Sequence, residues 1–142
     1  MCAASSISRL KRALLSEGAM SDRLKKISHR GCSILFTDYS NFVTLDEWQA
    51  LLDAERKLMP KEQLGSVLAL AVFTGSRFSA SVFSALKELA VHNKPYVKAS
   101  ALVGLSSLQQ GVFLKGIERT ADRTFGLFDS VEAAMDWLAE RR

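Results

Sequence analysis

From residue 24 onward the apolar positions of this chain fall into two alternating kinds of run. Leu24 to His29 and Cys32 to Tyr39 read as strands around Arg30-Gly31, where the glycine supplies the positive φ that a tight turn needs, so the body opens on an antiparallel hairpin. In the second strand Ile34-Leu35-Phe36 places apolar side chains on adjacent positions, which predicts a strand covered on both faces. Thr44-x-x-Glu47 then forms a capping box for a helix reaching about Met59, with Trp48, Leu51, Leu52 and Leu58 turned inward and Pro60 ending it.

Ser66 to Thr74 is a second buried strand, and Gly75-Ser76-Arg77-Phe78 turns into a helix from about Ser79 to Val91 whose inner face is Val82, Phe83, Leu86, Leu89 and Ala90. Tyr96 to Val103 is a third. Ser106-x-x-Gln109 caps a helix carrying Leu108, Val112, Phe113 and Ile117, Thr124 to Phe128 is a fourth short strand, and Asp129-x-x-Glu132 caps a last helix packing through Val131, Ala134, Met135 and Leu138. Strands alternating with helices after one hairpin predict an α/β fold: an open, mixed and mostly parallel sheet with right-handed crossovers and helices packed on it.

A chain of 142 residues has the usual size of one domain and buries a core without metals or disulfides. The domain is expected over 21–142. Residues 1–20 form a basic tail or short helix, with Ile7, Leu10, Leu14 and Leu15 on one side of 5 to 15, dispensable for folding. The longest apolar run, Val67 to Phe73, is far below the roughly 20 residues of a membrane-spanning helix, and no signal-peptide core follows the first basic residues. A cytoplasmic location is the expectation, with Cys2 and Cys32 as free thiols. Residues 1 to 31 hold seven Lys/Arg against Glu17 and Asp22, a sum of +5 within a total of +4, so the rest of the chain sums to −1. That near-neutral body argues against nucleic acid as a partner.

Four segments resemble the STAS-like (SpoIIAA-like) family of bacterial proteins. They are the run Ile34 to Ser40, the run Leu68 to Phe78, the run His92 to Gly104 with its sequence HNKPYVKASALVG, and the run Leu127 to Leu138, together spanning about residues 22 to 141. The resemblance implies a domain of four or five strands that acts through interactions. In its anti-sigma-factor-antagonist branch a kinase-like partner is bound and a serine at a strand-to-helix junction is phosphorylated. Related lipid carriers of the CRAL-TRIO type hold an apolar ligand beneath a mobile helix. Carried onto this chain, the candidate phosphosite is Ser76, although Gly75-Ser76-Arg77 stands where the antagonists place an Asp-Ser pair.

The side chains themselves offer little for catalysis. His29 reads as an exposed hairpin residue and His92 as a partner for a helix C-terminus, no metal-ligand spacing is present, and neither an enzyme nor a cofactor is expected. Asp38, Ser40, Thr74 and Ser76 fall where open α/β sheets bind ligands, though such residues also cap turn amides. The turn Thr74, Gly75, Ser76, Arg77, Ser79 is the candidate partner surface, because it leaves the first amides of a helix facing outward beside Arg77. Lys98 is expected to reach water from mid-strand, and Trp137 to be partly exposed. The reading is a non-catalytic module for protein partners, with a carrier or sensor of an apolar small molecule, acting at a membrane surface, as the alternative and an enzyme third; homo-oligomerisation is left open.

Overall fold

The computed structural model describes residues 22–142; the readings made of residues 1–20 and of Cys2 lie outside the described residues. Five strands, β1 (Leu24–His29), β2 (Cys32–Asp38), β3 (Val67–Val72), β4 (Val97–Val103) and β5 (Phe125–Phe128), form one sheet in the order β1-β2-β3-β4-β5. β1 and β2 are antiparallel, with Ile27 opposite Ile34, and the other three pairs are parallel. The sheet is therefore mixed and mostly parallel, as the alternation predicts. Both residues of the hairpin turn are left-handed, Arg30 at φ 51° and Gly31 at φ 77°, the pairing that matches strand twist in a two-residue loop.

The crossovers carry α1 (Leu45–Leu58), α2 (Ala80–Asn93) and α3 (Ser107–Val112); α3 continues through a π-helical segment, Phe113–Glu118, into the short α4 (Arg119–Ala121). Each crossover steps one strand in the same direction, so a single hand puts all of them on one face of the sheet. That face holds the larger core, where Trp48, Leu51, Val82, Leu86, Phe113 and Ile117 pack onto Tyr39, Phe73 and Leu102. The opposite face is covered by α5 (Val131–Ala139), whose Ala134 and Leu138 lie on Ile34, Leu68, Leu70 and Ala101. Adjacent residues of β2 point to the two cores, Ile34 into one and Leu35 away from it, which explains the run of unbroken apolar character.

Four readings are corrected. Leu108 is 80% exposed, because Leu108 and Val112 form a stripe of their own while Phe113 and Ile117 point inward. Ser130, whose hydroxyl accepts the Ala133 N–H, caps α5 in place of Asp129. Pro60 does not stop the chain at α1 but sits in a 3-10 turn, Met59–Lys61, that extends it. His29 is half-buried, its Nε2 2.7 Å from Asp136 Oδ1 on α5, so the hairpin is tied to the last helix. Lys98 does face solvent, and Trp137 is half-buried against Phe128 with Arg141 stacked on its ring.

Candidate functional site

The C-terminal edge of the sheet brings the sequence-predicted residues together. After β2 the chain turns through Asp38, whose Oδ1 accepts the Ser40 N–H at 2.9 Å, and Arg23 donates to the carbonyls of Asp38 and Ser40. Asp38 and Ser40 thus bond within the turn, the structural role open to them from sequence. Beside this loop runs Thr74 to Ser79. The Asn41 N–H donates to Thr74 O at 2.9 Å and the Arg77 N–H to Phe42 O at 2.9 Å. Gly75, at φ 72°, lies against Asn41, whose side chain would collide with any Cβ there.

From below, Trp48 Nε1 donates to Arg77 O at 3.2 Å and Gln109 Nε2 donates to Ser76 O at 2.9 Å. Trp48 itself is held in an aromatic cluster, stacked on Tyr39 at 5.3 Å and edge-on to Phe78 at 5.4 Å, with Phe73 between Tyr39 and Phe113. The turn is therefore fixed from both neighbouring loops and from the core. Ser76 is buried, and its hydroxyl donates to Phe73 O at 2.7 Å. Thr74, Arg77 and Ser79 are exposed, and Ser79 caps α2 by accepting the Val82 N–H. Next to the turn an open, mainly apolar groove of about 650 Å³ runs between α2 and α3, lined by Phe78, Phe83, Leu108, Val112 and Gly116.

A second constellation lies in the larger core. Helix α1 turns Glu55 inward, where its carboxylate accepts from Tyr39 Oη at 2.9 Å, from Asn93 Nδ2 at 2.7 Å and from the Thr37 hydroxyl. Burial pushes its pKa up, and those three hydrogen bonds and the charge of Arg123 only partly counter the effect. The same burial, with Glu55 alongside, holds the Tyr39 hydroxyl well above its ordinary value. Across a cavity of about 60 Å³, Arg123 donates to Ala90 O at 3.0 Å and to Ser100 Oγ and lies over the Phe125 ring. Burial lowers its pKa to about 10, against the raising influence of Glu55. No ion pair within 4.0 Å joins Glu55 and Arg123.

Glu55 was legible: it stands seven residues after Trp48 on the stripe 48, 51, 52, 55, a carboxylate in a row of core residues. Asn93 likewise continues the stripe 82, 86, 89. Arg123 carried no such signal, because its direction is set by Asp122, a non-glycine residue at φ 52° that turns the chain inward. Among the described residues no cluster of three metal-ligating side chains occurs, and no helix is long and apolar enough to cross a membrane. Comparison with known proteins gives no match to a family model, a curated protein or a solved structure.

Proposed function

We propose that this protein is a non-catalytic binding module of the kind its STAS-like resemblance implies, acting in the cytoplasm by docking a protein partner on the C-terminal edge of its sheet. The observation that carries the reading is the apolar groove between α2 and α3, which opens beside a turn held rigid by Asn41, Phe42, Trp48 and Gln109. Rigid edges with an apolar centre and a polar rim are how interfaces gain affinity without ordering cost. Leu108 and Phe83 supply the apolar centre, and Arg77, Ser79 and Lys115 supply the rim. An apolar-ligand carrier is supported less well, since the interior cavity of about 60 Å³ has the volume of about two waters at liquid density. Phosphorylation of Ser76 would require its buried turn to open first.

A photo-crosslinking residue placed at Leu108, with the same residue at exposed Lys57 on α1 as control, tests the surface in the host cell. Crosslinks to one partner from position 108 and not from 57, with that purified partner binding Leu108→Asp at least about tenfold more weakly, are the expected result. Equal crosslinking from both positions, or unchanged affinity, sinks the reading.

A further inference from the structure

The interior cavity is independent of that edge, and its polar groups are unevenly satisfied. Glu55 already accepts three hydrogen bonds, from Thr37, Tyr39 and Asn93. Arg123 carries five N–H donors, and its recorded bonds are one to Ala90 O and one to Ser100 Oγ. A guanidinium this enclosed ordinarily meets a carboxylate in a two-pronged contact, yet Glu55 stands beyond 4.0 Å with its acceptors engaged. Ser100 is 4% exposed and lines the same cavity; its oxygen accepts from Arg123, which leaves the hydroxyl proton as a further donor. The unmet chemistry on this wall is donation. We propose that the cavity is a binding site for a small carboxylate, taken by the Arg123 guanidinium and the Ser100 hydroxyl.

Three features fit that assignment. The free volume of about 60 Å³ admits a carboxylate of one or two carbons. The remaining wall, from Leu86, Leu89, Phe113 and Phe125, is apolar and suits a short hydrocarbon end. The backbone is irregular on both sides of the site: Asp122 is left-handed immediately before Arg123, and the π-helical segment begins at Phe113. Such departures from regular structure concentrate where side chains are aimed for function. Glu55 and Arg123 are each only half-buried, which gives a small solute a route in.

The test is a titration of the full-length, ¹⁵N-labelled chain with sodium formate and with sodium acetate, against sodium chloride and methylammonium chloride at equal ionic strength. Saturable shifts at the amides of Ser100, Arg123 and Phe125 are expected with the two carboxylates only. Ser100→Ala should weaken binding by about tenfold, and Arg123→Lys should remove saturation, because a point charge does not replace the planar fork. Shifts no different from chloride, saturation by methylammonium, or carboxylate binding unchanged in Ser100→Ala overturn the proposal. Should Arg123→Lys fail to fold, Ser100→Ala decides alone, since it removes a single oxygen from a strand position.

Discussion

Glu55 illustrates how one side chain couples the core to solution conditions. Its folded pKa is raised, chiefly by burial, with Tyr39, Thr37, Asn93 and Arg123 as the polar and charged groups facing it. In the unfolded chain it titrates near about 4.3. Between that value and its folded pKa the native state holds the proton that the unfolded state has lost. Its contribution is thus fully present below about pH 4.3 and is lost as pH rises through the folded pKa. Urea unfolding of wild type and Glu55→Gln at pH 4, 5.5 and 7 should show the wild type losing ground steadily to the variant as pH rises. A difference that does not change with pH contradicts this. Two glycines give a contrast of another kind. At Gly104, φ 80°, a Cβ would stand 2.9 Å from the Thr74 backbone, whereas at Gly65, φ 66°, it would meet nothing within 4 Å. Gly65→Ala should cost only the left-handed penalty of about 1–2 kcal/mol, and Gly104→Ala clearly more by denaturant unfolding, because the edge must also shift. At this scale the sequence exposed Glu55 through its place on a helical stripe. Arg123 stayed hidden, since the residue that aims it, Asp122, has a backbone angle that its side chain does not announce.

Elements were legible wherever a cap marked them. Thr44 with Glu47 and Ser106 with Gln109 form the reciprocal pairs their spacing predicts, and Ser79 caps α2. The π-helical stretch was not legible, because it adds a residue to a turn without any change of composition. Gln109 gives this scale its prediction, since it does two things at once. Its Oε1 accepts the Ser106 N–H within the cap, and its Nε2 donates to Ser76 O in the neighbouring turn. Gln109→Glu keeps the first bond and removes the second donor, whereas Gln109→Ala removes both. Amide exchange at Ser76 and Arg77 should accelerate in both variants, while a loss of about 1 kcal/mol at the helix start should appear only in the alanine variant. If exchange at the turn is unchanged in Gln109→Glu, that side chain does not restrain the edge.

For the molecule as a whole, the alternation of strands and helices carried the parallel sheet, but strand order was beyond it. Several orders satisfy the same pattern, and the one adopted follows from every crossover stepping to the next position with one hand. Both cores are assembled from residues after 22, so a chain of 22–142 is expected to unfold in one cooperative transition with near-native circular dichroism. A broad, non-cooperative melt would assign part of residues 1–21 to the core. The sequential strand order also has a kinetic meaning. Each strand finds its partner among residues already close along the chain, so loop closure is cheap and assembly proceeds quickly from the hairpin to β5. Helix α5 is the exception, since it must return across the whole sheet, its Asp136 reaching His29 over 107 residues. A nascent chain therefore reaches the ribosome's last codons with a complete sheet and one bare apolar face. Release of a product lacking its final dozen residues should yield a species prone to self-association and rapid proteolysis.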